Sequence, residues 1–220
     1  MNVFSSLSPA EQARQLANPE GTLGLEVAEW LNGNNAQANS KVLEALQLEP
    51  GCHVLEIGFG NGRAAANIAA QCTGVNYAGV DISPTMLEEA ERFNAALIAS
   101  GRAKFYLASA DRMPFPDASF DRVFSIGVIH FWADPTALLV EIHRVSRSDS
   151  LAIMSCLDPQ TALPFAREEY GFYRRSPADW EALFHEAGYR SVNAQRVEVE
   201  GIGADGKPNK RYTVRITARA

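Results

Sequence analysis

At 220 residues, with 46% hydrophobic and 21% charged side chains, the chain suits one globular domain with an ample core. A formal net charge of −6 without a dense Lys/Arg cluster argues against nucleic acid as a partner, and Lys207, Lys210 and Arg211 read as a solvated hairpin end. Cys52, Cys72 and Cys156 form no C-x-x-C pair, so neither a metal site nor a disulfide framework is expected, and the absence of a signal peptide or membrane-length apolar run points to a cytoplasmic protein.

Residues 1–49 precede the first strand and read as a helical cap or lid on a domain formed by residues 50–220. Ser8 is a cap with Pro9 at the first helical position, and Asn18-Pro19-Glu20-Gly21 interrupts the pattern. A second helix holds Leu25, Val27, Ala28, Trp30 and Leu31, with Trp30 either a core anchor or a substrate contact. Asn32-Gly33-Asn34-Asn35 has the composition of a loop, although Asn32 and Asn35 also suit buried amides beside a ligand. A third helix, Ala36 to Leu46, brings Val42, Leu43 and Leu46 to one face.

Val54-Leu55-Glu56-Ile57 reads as a buried parallel strand and Ala64 to Ala70 as the helix after it. The glycines Gly58, Gly60 and Gly62 between them permit a sharp turn and close approach to bare backbone. Strand, glycine turn and helix N-terminus together make a site for a nucleotide-like ligand. A dinucleotide fingerprint would need a glycine where Arg63 stands. The next strand runs through Val75–Ser83 and carries Asp81, placed where a carboxylate can accept both ribose hydroxyls, with Ile82 beside it for an adenine face. Asp81 could instead cap the helix predicted over Pro84–Ala99, but Ser83 suits that role better.

Lys104–Ala108 and Val123–Val128 are further strands. His130-Phe131-Trp132 follows the second of these, at the strand end where open α/β sheets build ligand sites. His130 is a candidate general base or a structural histidine. Pro135–Val145 reads as a helix, Arg147-Ser148-Asp149-Ser150 as a turn and Leu151–Ser155 as the fifth strand. Phe165, Tyr170, Phe172 and Tyr173 fall in an insertion that is either an aromatic flap or packing for the N-terminal helices. Ser176 opens a capped helix ending at Gly188, and Val192–Val199 with Arg211–Ala218 alternate as a hairpin joined through Gly201–Gly206.

The pattern Glu56-x-Gly58-x-Gly60-x-Gly62, the acid at Asp81 and the segment Ala110-Asp111…Pro114-Phe115…Phe120-Asp121 together resemble the class I S-adenosylmethionine (SAM) methyltransferases of the small-molecule type, from about Pro50 to Ser155. The resemblance implies a three-layer, Rossmann-like α/β sandwich: a seven-stranded, mostly parallel sheet with an antiparallel last strand, plus an N-terminal helical cap. It implies SAM across the strands' C-terminal edge, with S-adenosylhomocysteine (SAH) as product. The implied cofactor contacts are Glu56, Gly58, Phe59, Gly60, Gly62, Asp81, Ile82, Ala110, Asp111, Arg112, Met113 and Ile126, with Asp111 on the adenine amino group and Met113 on the ring. Trp30, Phe131, Trp132, Phe165, Tyr170 and Tyr173 are the expected substrate contacts, and His130 and Tyr170 the candidate catalytic side chains. Ring faces attract cations, which suits Phe131 and Trp132 to a sulfonium.

Two departures are informative. Members that methylate adenine or glutamine amides carry Asn/Asp-Pro-Pro-aromatic where this chain has Gly127-Val128-Ile129-His130, which discounts those substrates. The usual Pro-Gly-Gly before the fifth strand is replaced by Arg147–Ser150, a matter of turn geometry. The expectation is methyl transfer to a small molecule by a monomer or homodimer, without metal. The alternatives are a protein that binds SAM as a sensor or for intramolecular displacement, and a nicotinamide-dependent oxidoreductase, against which Arg63 counts.

Overall fold

Apolar runs of strand length can be buried on both faces only inside a helix-covered sheet. The computed structural model describes residues 3–161, 163–202 and 208–220. Among them the runs become β1 (His53–Ile57), β2 (Asn76–Asp81), β3 (Ala103–Leu107), β4 (Phe120–Ile126), β5 (Ser146–Leu157), β6 (Ser191–Ile202) and β7 (Pro208–Arg219). They form one sheet of seven strands in the order β3-β2-β1-β4-β5-β7-β6, in which β7 runs antiparallel to both its neighbours. The order reverses between β1 and β4, and the cleft at their C-terminal ends is where such sheets bind ligands.

Side chains alternate between two cores. Leu55, Ile57, Val123 and Met154 face α8 (Thr136–Val145) and α9 (Pro177–Glu186), where Leu139, Ile142, Trp180 and Phe184 are fully buried. Val54, Phe124 and Ile153 face the other way, against α4 (Ala36–Ala45), α5 (Arg63–Gln71) and α6 (Pro84–Phe93). Each such apolar side chain contributes about 1.5–3 kcal/mol. Three Ser-Pro pairs begin helices as expected: Ser8 before α2 (Pro9–Ala17), Ser83 before α6 and Ser176 before α9 each accept a backbone N–H of the first turn.

The N-terminal helices divide by role. Val42, Leu43 and Leu46 put α4 and its end into the sheet's own core. Of the earlier helices, α2 and α3 (Gly21–Asn34) lie at the cleft, α1 (Val3–Ser6) packs Phe4 on Trp30 of α3, and Ala13 and Leu16 of α2 pack on Phe165, Tyr170 and Phe172 of the insertion after β5. Of the two readings of that insertion, packing on the N-terminal helices is the one found.

Four local expectations are corrected. The loop expected at Asn32–Asn35 is helical through Asn34, leaving only Asn35 between α3 and α4. Arg211, expected in solvent, donates to Asn34 O at 2.6 Å and so satisfies a helix-terminal carbonyl. The expected turn Arg147–Ser150 is part of β5, with a register shift opposite Phe120/Arg122 and Asp149 at φ 65°. The helix over Pro84–Ala99 breaks at Asn94, whose Nδ2 donates to Ala90 O and Gly62 O. Of the Gly201–Gly206 connection, residues 203–207 lie outside the described residues, as does Lys207. Among the described residues no helix is long and apolar enough to cross a membrane.

Candidate cofactor and substrate site

The loop after β1 is built by three left-handed glycines, Gly58 (φ 74°), Gly60 (φ 53°) and Gly62 (φ 75°), each for a different reason. A Cβ on Gly58 would lie 2.3 Å from Val128 Cγ2, and one on Gly62 would lie 2.8 Å from Ala90 Cβ. A Cβ on Gly60 would meet nothing within 4 Å, so this backbone faces open space. Gly62→Ala is therefore expected to cost ~2–5 kcal/mol from backbone strain and overlap, lowering Tm by roughly 5–15 °C. Gly60→Ala carries only the strain, about 1–2 kcal/mol. Comparing the two melts checks the assignment.

The open space is a cavity of about 460 Å³ at the switch point. Its base is Glu56, the glycine loop, Asp81 and Ile82; Ala108–Ala110 form one wall and Ile126–Val128 with Phe131 and Trp132 another. Leu16, Ala17, Pro19, Leu31, Asn32, Asn35 and Asn39 close it from the N-terminal helices.

Two carboxyls stand in this space. Asp81 Oδ2 accepts the Gly60 N–H at 2.9 Å and Oδ1 the Ser83 N–H at 2.9 Å, while burial raises its pKa. Glu56 is more deeply buried. Burial pushes its pKa up to about 8, and Tyr77 OH donates to it at 2.5 Å from β2. Gly79 makes that bond possible: a Cβ there would sit 2.9 Å from the Tyr77 hydroxyl.

The sequence model of the family described as "Methyltransferase domain" matches residues 55–154, which span the glycine loop, Asp81, β4 and most of β5. An O-methyltransferase of Aspergillus sclerotiorum is 32% identical over 152 residues, covering 66% of this chain and 57% of that protein. The demethylmenaquinone methyltransferase of Beutenbergia cavernae is 29% identical over 204 residues, 80% of this chain and 81% of that one. A SAM-dependent methyltransferase from Aquifex aeolicus has the same fold, with a TM-score of 0.64 over 97% of this chain and 98% of its own at 19% identity. Residues 55–154 of the chain match the methyltransferase domain family, and the chain has the fold of the class I SAM-dependent methyltransferases. It spans about half the length of the first curated relatives it matches (57% and 41%).

The cavity fits the family's cofactor. Gly60 offers backbone with no side chain in the way, and Asp81 has carboxylate lone-pair capacity beyond what its backbone N–H donors use. Ile82 leaves 53% of its surface uncovered at the cavity, as a residue awaiting an apolar ring would.

Of the expected cofactor contacts, Glu56, Gly58, Phe59, Gly60, Asp81, Ile82, Ala110 and Ile126 line the cavity. Gly62, Asp111, Arg112 and Met113 do not. Gly62 packs on α6, Asp111 and Arg112 are exposed to solvent, and Met113 is buried in the sheet core with its N–H on Glu141 at 2.7 Å. The cavity wall beyond β3 is therefore made by Ala108–Ala110 and not by Asp111–Met113.

Of the expected substrate contacts, Phe131 and Trp132 line the cavity. Trp30 does not; it stacks on Phe4 with ring centroids 4.3 Å apart, and Phe165 meets Phe4 edge-on. Tyr170 packs beside Phe172 in the small cluster under α2, and Tyr173 follows it, holding His130 O through its N–H at 2.7 Å. His130 is buried between Phe131 and Phe172, away from the cavity. Burial lowers its pKa to about 3, and its Nδ1 accepts the Leu157 N–H at 3.4 Å, so it is a neutral structural imidazole rather than a base. The sequence reading missed Asn39, Asn61 and Asn67 on the cavity. The spacing of Asn32, Asn35 and Asn39, three and then four residues apart, is the helical signal that could have found one of them.

Proposed function

We propose that this chain transfers the methyl group of SAM to a small-molecule acceptor, releasing SAH. The observation that carries the reading is the bare Gly60 backbone beside the Asp81 carboxylate, both on the switch-point cavity. Asp81 would hold the ribose, Ile82 and Ala108–Ala110 the adenine, and Glu56 with the glycine loop the amino-acid end. When bound, the cofactor supplies a sulfonium-activated methyl group.

The chain's own contribution is alignment in a preset space. Arg175 donates to Trp132 O at 2.9 Å and Ala133 O at 2.6 Å, and Tyr173 N–H ties down His130 O, so the segment carrying Phe131 and Trp132 is fixed before anything binds. Residues of α2–α4 line the cavity from above. Orientation of this kind accounts for up to ~7–11 kcal/mol of a barrier. No histidine, lysine or cysteine lines the cavity among the described residues, which suits an acceptor needing no dedicated base. The acidic balance of the chain supports a small molecule over nucleic acid as the partner.

Calorimetric titration of SAM, SAH and NADH, followed by detection of methylated product, tests the reading. Micromolar SAM and SAH binding without NADH binding is expected. Tight NADH binding with none of SAM would overturn it, and SAM binding that never yields methylated product would favour a sensor or a non-methylating enzyme.

A further inference from the structure

One amide on the cavity has its orientation fixed from outside the site. Asn35 is the single residue between α3 and α4, at φ −103° and ψ 7°. Arg211 of β7 lies over the bare face of Gly201 on β6, where a Cβ would meet its Cζ at 2.8 Å. From there Nη2 donates to Asn34 O and to Asn35 Oδ1, each at 2.6 Å. A guanidinium only donates, so the Asn35 atom facing it is the carbonyl oxygen. The Nδ2 amino group is left as what Asn35 can offer the cavity it lines.

The surroundings of that donor restrict what it can hold. Helices α2–α4 contribute only apolar residues and asparagines to the cavity wall, and the ionisable lining residues Glu56, Asp81 and Arg63 stand on β1, β2 and α5. A protonated amine would find no carboxylate on that wall. A neutral amine has one lone pair and cannot both accept from Nδ2 and attack a methyl group. A phenol or enol oxygen has more than one, so it can do both, and its aromatic body suits Phe131 and Trp132.

We propose that Asn35 is the acceptor-orienting residue, that Arg211 is its positioning residue, and that the acceptor is a hydroxyl oxygen on an aromatic or enolic body. The step balances simply. The acidic phenol or enol proton is lost to water through the open side of the cavity, an oxygen lone pair forms the new C–O bond, and the S–CH3 bond breaks with its electron pair going to sulfur. This assignment rests on the methyl-transfer reading above.

Three matched probes test it: 1-naphthol, 1-naphthylamine and 1-naphthalenethiol, each with SAM, reading SAH release, while calorimetry follows SAH binding separately. The naphthol should be turned over at least ~10-fold faster than the other two. Asn35→Ala should lower kcat for naphthol by ~10–100-fold, toward the loss seen when an oxyanion donor is removed, with SAH affinity within about 2-fold. Arg211→Met should act in the same direction and Arg211→Lys recover part of the rate, a graded rescue that general loss of packing would not give. If Arg211→Met fails to fold, Asn35→Ala decides alone. Preference for the amine or thiol, no turnover of naphthol by protein that binds SAH, or wild-type kcat in Asn35→Ala would each overturn the assignment. Failure of the wild-type chain to bind SAM or SAH would instead remove the methyl-transfer reading, and this assignment with it.

Discussion

Asp81→Ala is expected to weaken SAM and SAH binding by at least ~100-fold, because hydrogen bonds to a charged group contribute about 1.5–3 kcal/mol each and a ribose offers two hydroxyls. The loss has a second source in this protein. Asp81 Oδ2 also holds the Gly60 N–H at 2.9 Å, so the alanine variant releases the middle of the glycine loop. Asp81→Asn keeps one carbonyl acceptor and should fall between, at roughly 10-fold. The cap of the helix that follows survives in part, since Ser83 Oγ accepts the Met86 N–H of α6 at 3.2 Å and donates to Pro19 O at 2.5 Å, but the buried Ser83 N–H loses the Asp81 Oδ1 that accepts it. The alanine variant should melt below wild type, since each backbone N–H left without an acceptor costs about 1–3 kcal/mol, and Asp81→Asn should lose less; calorimetry with SAH well below both melts then isolates the binding loss. An alanine variant that binds within a few-fold of wild type would place the ribose elsewhere.

What the sequence made legible was whatever local chemistry decides. The strands came from apolar runs, the helix starts from Ser-Pro pairs and the turn after β1 from glycines that adopt positive φ. Asp81 was legible for a related reason, since an acid at the tip of β2 has few other places to point. The side chains that went astray are those placed by partners far along the chain. Arg211 looked like a solvated charge because Asn35, its partner, is 176 residues away. His130 sits beside an expected site in sequence, but its ring is stacked on Phe172 at 5.1 Å and is buried by the insertion. Asp111 follows Ala110 directly, yet Met113 is drawn into the core and its N–H is held by Glu141, which turns Asp111 and Arg112 out to solvent. Motif order led to residues that line the floor of the cavity and to fewer of those in its walls, because walls are made by tertiary packing.

Stability against pH should form a plateau, set by two buried groups that pull in opposite directions. Burial raises Glu56 from 4.5 to about 8, so between those values the folded chain keeps a proton that the unfolded chain has lost. Stability then falls as pH rises, by ~1.4 kcal/mol per unit. Burial raises Asp81 as well, which adds to the same limb. Burial lowers His130 from 6.5 to about 3, so between those values the unfolded chain takes up a proton that the folded chain refuses. Stability then falls as pH drops, with a similar slope. From about pH 4.5 to 6.5 the Glu56 and His130 slopes oppose each other, and outside that window only one of them acts. Urea denaturation from pH 4 to 8.5 measures the profile. Glu56→Gln should flatten the alkaline limb, because an amide oxygen can still accept the Tyr77 hydroxyl. His130→Phe should flatten the acid limb, at a cost of ~1–3 kcal/mol near neutrality for the Leu157 N–H it leaves unpaired. A wild-type chain that grows more stable from pH 6.5 to 8 would mean that Glu56 is already ionised when folded. The same carboxyl links stability to function. A cation entering beside a protonated Glu56 favours its ionised form, so SAM binding at pH 7 should release up to about one proton. Comparing binding enthalpies in two buffers of different ionisation heat counts that proton directly, and in Glu56→Gln the count should fall toward zero.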